Sequence, residues 1–135
     1  LYMIVGILGS GGREHALAWK LSESPRCTAL FANGISNGGI AECAQPCPHE
    51  WNHLDTFHFL NWCEKEDINL VVVGPEAPLS EGITDVLTKA GIAVFGPTQA
   101  AAMIEADKAF AKTLMKNAAV PTAEGKVFSS PNAAR

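Results

Sequence analysis

Gly9, Gly11, Gly12 and Arg13 stand together at the end of an apolar run, in the string MIVGILGSGGREHALAWK from Met3 to Lys20. Residues of these types at this spacing suit an anion. Glycine lets backbone N–H groups come close to a ligand. A helix that starts just after the turn adds the positive end of its dipole, and a guanidinium pairs bidentately with phosphate oxygens. Glu14, in the first turn, favours the same dipole. The elements that must hold this turn are legible on either side. Met3, Ile4, Val5, Gly6, Ile7 and Leu8 are apolar throughout, as in a parallel strand covered on both faces. Ala16, Leu17, Trp19 and Leu21 supply the helix with apolar residues to cover the sheet.

A dinucleotide site is the nearest competitor. From Gly9 the pattern is G-S-G-G-R-E, so Glu14 stands where G-x-G-x-x-G carries its third glycine. The second strand, about Thr28 to Ala32, ends in Asn33-Gly34 without the carboxylate that would hold a ribose diol. The spacing therefore argues against NAD or FAD. A plain strand-to-helix turn that uses glycine for its geometry is the other reading.

The 135 residues are 47% hydrophobic and 18% charged with a net charge of −4, values that suit one globular domain with a substantial core. The acidic balance and the lack of a basic stripe argue against nucleic acid or an anionic membrane as partner. No apolar run approaches the ~20 residues of a membrane span, and nothing like a signal peptide precedes the first strand, so a cytoplasmic protein is expected. Cys27 and Cys63 read as small buried hydrophobes. Cys43, Cys47, His49 and His53 form C-x3-C-x-H-x3-H, a set of soft ligands. The spacing is not a common zinc pattern, and Pro46 and Pro48 constrain the loop, so no metal site is expected. Disulfides are not expected in a reducing cytosol.

Apolar runs alternate with amphipathic stretches, which signals βαβ units and a parallel sheet. After the second strand, NGISNGG over 33–39 is a loop whose three glycines and two asparagines tolerate positive φ. A helix is expected from about Leu54 to Glu66, and NLVVVG from Asn69 to Gly74 is the clearest strand. A helix near Ser80 to Ala90, capped by Ser80 and closed by Gly91, precedes a strand at Ile92–Phe95. Two further helices are expected, over Thr98 to Glu105 and, with Asp107 as cap, Asp107 to Ala119. The second has Phe110, Leu114 and Met115 on an apolar side and Lys108, Lys112 and Lys116 on another. Thr122–Phe128 reads as a strand and Ser130-Pro131 as the start of a helix. A chain that stops there reads as part of a longer protein.

Three segments in order, GSGGREHALAWKLSESP, NLVVVGPEAPLSEGI and FGPT…EADKAFAKTLMKNAAVPTAE, resemble the phosphoribosylamine–glycine ligase family of the ATP-grasp superfamily. The resemblance runs from Met3 to about Phe128 and is weakest from Ile40 to Asn61. It implies an α/β fold, an open parallel sheet with helices on both faces, as in the Rossmann-like domain that precedes an ATP-grasp domain. Residues 1–105 would be the substrate-phosphate domain. Residues 106–135 would be a linker helix and the first strand of an ATP-grasp domain, incomplete here. The implied reaction joins phosphoribosylamine to glycine with ATP and Mg2+ through glycyl phosphate.

On this reading Gly9, Gly11, Gly12, Arg13 and Glu14 form the seat of the ribose phosphate. The family's P-G-N-x-G loop is altered here: Asn33 stands where proline is usual, and Asn37, Gly38 and Gly39 are its nearest counterparts. Gly74-Pro75-Glu76-Ala77-Pro78-Leu79 matches without change, so Pro75, Glu76 and Pro78 join the substrate-binding set, with Glu76 toward the sugar hydroxyls or the amine. Lys108, in D-K-A-F-A-K, would approach ATP phosphates. The resemblance leaves no catalytic residue and no metal ligand in this chain, so neither ATP nor Mg2+ is expected to bind it well alone. Another ATP-grasp carboxylase or ligase, or a free-standing nucleotide-binding module, are the alternatives.

Overall fold

The computed structural model describes residues 2–135. Five parallel strands, β1 (Met3–Leu8), β2 (Cys27–Ala32), β3 (Gln45–Pro46), β4 (Leu70–Val73) and β5 (Ala93–Phe95), form one sheet in the order β3-β2-β1-β4-β5. The helices are α1 (Gly12–Ser22), α2 (Gly38–Cys43), α3 (Phe57–Lys65), α4 (Glu76–Ser80), α5 (Ile83–Lys89), α6 (Gln99–Ala106) and α7 (Lys108–Asn117). This is the expected α/β architecture with helices on both faces.

Strand pleating divides the apolar residues between two cores. Val5 and Ile7 of β1, Leu30 and Ala32 of β2 and Val72 of β4 face Ala18 of α1 and Ile40 of α2. Leu8, Val71 and Val73 point to the opposite face, where Phe59, Trp62 and Cys63 of α3 pack with Leu79, Ile83 and Leu87. Phe59, Ile7, Ile40, Ile83 and Leu87 are among the largest fully buried side chains. Each such burial contributes about 1.5–3 kcal/mol. Gly6 sits on the α3 side, and the Trp62 ring lies 3.8 Å from where its Cβ would be.

β1 is the hinge of the topology. The chain passes from β1 to β2 on one side and returns at β4 on the other, so the strand order reverses across β1. Open α/β sheets bind ligands outside the carboxyl ends of the strands at such a reversal. The turns after β1 and β4 therefore flank the expected crevice.

Several elements depart from the sequence reading. The loop after β2 contains a short helix, α2, and a two-residue edge strand, β3. The helix expected over Ser80–Ala90 is two helices broken at Glu81-Gly82. Ser80 ends the first of them, its hydroxyl donating to Ala77 O at 2.8 Å rather than capping. α3 starts at Phe57, and Leu54 is 84% exposed. Trp19 and Ala16 turn outward from α1, whose covered apolar residues are Leu17, Ala18 and Leu21. Cys63 is buried as expected, whereas Cys27 is half-buried. No strand forms over 122–128, where no neighbouring strand lies beside the chain among the described residues, and 131–134 make a turn rather than a helix.

Candidate anion-binding crevice

Three loops meet at the carboxyl ends of β1, β2 and β4. The first, Gly9–Gly11, opens with Gly9 at φ +110°, a conformation that side chains strongly disfavour. Its neighbours crowd it. A Cβ on Gly34 would overlap the Gly9 carbonyl oxygen and come within 2.7 Å of Ser10 Cα. Gly9 N–H donates to Asn33 Oδ1 at 2.9 Å, and Asn37 Nδ2 donates to Ser10 O at 3.0 Å. The second loop thus holds the first by side-chain amides.

Glu14 is the buried carboxylate of this region, 6% exposed. Its Oε2 accepts the Gly11 N–H at 2.7 Å, and its Oε1 lies 3.6 Å from Arg13 Nε. The side chain fills the space that a Cβ on Gly74 would need, which is why the third loop can close on the first only with glycine at 74. Arg13 Nη1 then donates to Gly74 O at 3.1 Å, across the reversal in strand order. The third glycine of a dinucleotide fingerprint permits close helix–strand packing. Here a folded-in carboxylate occupies that junction, in keeping with the spacing argument against NAD or FAD.

These bonds define what remains to meet an anion. Gly11 N–H is already donated to Glu14. The first helical bond of α1 is His15 N–H to Gly11 C=O at 3.0 Å, so Gly12, Arg13 and Glu14 precede it and have no intrahelical acceptor. A Cβ on Gly12 or on Gly38 would meet nothing within 4 Å, so open space lies beside both. The Arg13 side chain is 70% exposed despite its two partners. Asn37 caps α2 by accepting the Gly39 N–H at 3.1 Å, and the His15 ring occupies the place of any side chain at 39.

Pro75 is the N-cap of α4, with its Cδ 2.9 Å from where a Gly9 Cβ would be. Glu76 is exposed at the first position of α4, and Pro78 is half-buried within it. Loops one, two and three, with Gly9, Gly11, Gly12, Arg13, Glu14, Asn37, Gly38, Gly39 and Pro75, therefore form one connected rim. Lys108 stands elsewhere, exposed at the start of α7, and its side chain makes no hydrogen bond or ion pair among the described residues. Sequence reasoning noted Asn33 only as a departure from a pattern. An asparagine at a strand end before glycine was the available signal.

The cysteine and histidine loop is spread over different partners. Cys47 Sγ donates to His49 O at 3.0 Å, and burial pushes its pKa up. The His49 ring stacks on His58 with centroids 6.1 Å apart, while His53 Nδ1 lies 3.5 Å from Glu81 Oε2. No group of three or more His, Cys, Asp or Glu side chains placed to hold a metal occurs among the described residues. Nor is any helix there long and apolar enough to cross a membrane.

Comparison with known proteins gives these loops a context. The family "Phosphoribosylglycinamide synthetase, N domain" matches residues 3–105. A phosphoribosylamine–glycine ligase of Nostoc is 47% identical over 134 residues, covering 98% of this chain and 31% of the relative. The enzyme of the same name from Rhizobium meliloti is likewise 47% identical, with the same coverage. The trifunctional purine biosynthetic protein adenosine-3 of Gallus gallus is 44% identical over 133 residues, 95% of this chain and 13% of that one. The chain thus spans about a third or less of the curated relatives it matches. Among solved structures, the biotin carboxylase subunit of a pyruvate carboxylase aligns with a TM-score of 0.64 at 18% identity, covering 98% of this chain and 32% of that one. The biotin carboxylase domain of a thermophilic 2-oxoglutarate carboxylase also reaches 0.64 at 18% identity, covering 93% and 30%. At that identity the likeness speaks for the fold alone. By the family match over most of its length, the chain belongs to the phosphoribosylglycinamide synthetase N-domain family.

Proposed function

We propose that this chain is the substrate-phosphate part of an ATP-dependent ligase that joins phosphoribosylamine to glycine in purine biosynthesis, acting in the cytoplasm. The observation that carries the reading is the bond from Arg13 to Gly74 O. It draws GGREH and GPEAPL, the two segments most particular to the family, into one crevice at the reversal of strand order. In that crevice the N–H groups of Gly12 and Arg13, with the Arg13 guanidinium, receive the ribose 5-phosphate. Glu76, exposed and one loop away, faces the sugar hydroxyls or the amine. Gly38 and Gly39 form the far wall.

The division at residues 105 and 106 is supported by the family match, which ends at 105, and by the change from sheet-packed elements to the exposed α7. Of the residues present, Lys108 has the chemistry for an ATP phosphate: a cation at a helix start with no hydrogen bond or ion pair among the described residues. The chain offers no cluster of carboxylates for Mg2+ among the described residues, so the groups that activate glycine would come from outside this stretch. What this chain does is bind and orient the phosphoribosyl group so that the amine is presented for acylation.

Isothermal titration with ribose 5-phosphate, with NADH in parallel, tests the reading. Saturable heat with ribose 5-phosphate alone is expected, and it should vanish in Arg13→Glu while circular dichroism still reports a folded α/β chain. Binding of NADH in preference to the sugar phosphate would refute the proposal.

A further inference from the structure

β1 and β2 pair as parallel strands as far as Ile7 opposite Ala32. Asn33 N–H then adds one more rung, to Ile7 O at 3.3 Å. A parallel ladder would next take the N–H of Gly9 to a backbone carbonyl of the neighbouring strand. The backbone has already turned away at Gly34, and Asn33 Oδ1 accepts that N–H instead, at 2.9 Å. The side-chain amide is thus a substitute rung, one step beyond the end of the sheet. It acts where the anion-binding turn leaves β1, at φ +110°. A Cβ on Gly34 would overlap the carbonyl oxygen of the same residue, so Gly9 is bonded at its N–H and leaves room only for glycine beside its C=O. Proline at position 33 could supply neither the N–H nor the acceptor.

We infer that Asn33 is a positioning residue for the anion-binding turn, its Oδ1 setting where Gly9 leaves the sheet and hence where the N–H groups of Gly12 and Arg13 point. The inference rests on the proposed binding of a phosphoribosyl group. Asn33 touches no ligand in this scheme; it acts through Gly9. Its neutrality matters too, because a carboxylate in the same place would accept the same N–H while repelling the phosphate.

The test follows amide exchange and ribose 5-phosphate affinity by 15N NMR in the 135-residue chain. In Asn33→Ala, Gly9 exchange should accelerate about tenfold and affinity should fall about tenfold, while amides of β4 and α3 keep their rates. Asn33→Asp should restore slow exchange at Gly9 without restoring affinity. Unchanged affinity in Asn33→Ala would overturn the inference and leave the proposed function standing. Faster exchange throughout β4 and α3 would reduce Asn33 to a general stabiliser and also overturn it. A wild-type chain that ignores ribose 5-phosphate would remove the proposed function, and this inference with it.

Discussion

Bonds in the crevice reach across the chain, whereas those around α7 stay close to home. Gly9 meets Asn33 over 24 residues, Ser10 meets Asn37 over 27, and Arg13 meets Gly74 over 61. In the C-terminal region, Asp107 accepts from Ala109 and Phe110, two and three residues on, and Thr113 donates to Ala109 four residues back. Lys112, the longest reach there, donates to Thr122 Oγ1 at 2.7 Å and to Ala123 O. Burial follows the same division. Gly34 and Gly74 are buried, while Phe110 and Leu114 are 43% and 42% exposed and Val127 is 78% exposed. One region owes its shape to partners distant in sequence, the other to helix caps and a single strap. A substitution should propagate in the first and stay local in the second.

The largest break should come from Gly34→Ala, whose Cβ would strike the backbone of Gly9 and Ser10. A loss of about 3 kcal/mol is expected from urea unfolding, against no loss for Gly12→Ala, where the space is open. Equal midpoints for the two would erase the contrast. Glu14→Ala comes next: it leaves Gly11 N–H and Arg13 without their carboxylate and opens a gap against Gly74. It should cost about 2 kcal/mol by the same measurement, and a value indistinguishable from wild type would show the first and third loops to be independent.

Alkaline pH probes the sheet region from beneath. Burial, and then the neighbouring Cys47 thiol, push Cys63 from the ordinary value of 9.0 up to about 12. The folded state therefore holds the proton that the unfolded state loses. The associated stability is fully present below pH 9 and declines as pH rises from 9 toward 12, by up to ~1.4 kcal/mol per pH unit. Urea midpoints taken from pH 8.5 to 10.5 should fall in the wild type and fall less steeply in Cys63→Ala; parallel slopes would discount this thiol.

Asp107→Ala removes an N-cap worth about 1 kcal/mol. Hydrogen exchange should speed up in α7 while β4 keeps its protection. Faster exchange in β4 would mean that α7 and the sheet are one cooperative unit. The smallest effect belongs to Phe128→Ser, expected within about 0.5 kcal/mol in urea, since Phe128 lies exposed at the end of an irregular stretch.

The contrast also marks how far the sequence could be read. β1 and β4 were legible because six and four consecutive apolar residues have one physical use in a sheet covered on both faces. Asp107 was legible as a cap because capping acts within three residues. Both of these signals are local. α2 and β3 were not foreseen: six and two residues carry too little periodicity, and an edge strand of that length exists only because β2 lies beside it. Thr122–Phe128 shows the converse, since strand-like composition makes no strand without a neighbour to pair with. Trp19 was assigned to the covered face of its helix and Leu54 to the start of the next helix, and both are exposed.

For the crevice, the types and order of residues determined that a glycine-rich turn and a helix start should follow β1, and they carried the expectation of an anion there and not a dinucleotide. Glycine spacing and one arginine suffice for that, because backbone N–H groups and a helix start are supplied by any chain folded in this way. Only the tertiary structure decided what Glu14 and Asn33 do. Read along the chain, one is a helix-dipole charge and the other a replaced proline. Folded, Glu14 is a buried brace between two loops and Asn33 an extra rung of the sheet, because their partners, Gly74 and Gly9, are brought beside them by strand order and not by proximity in sequence.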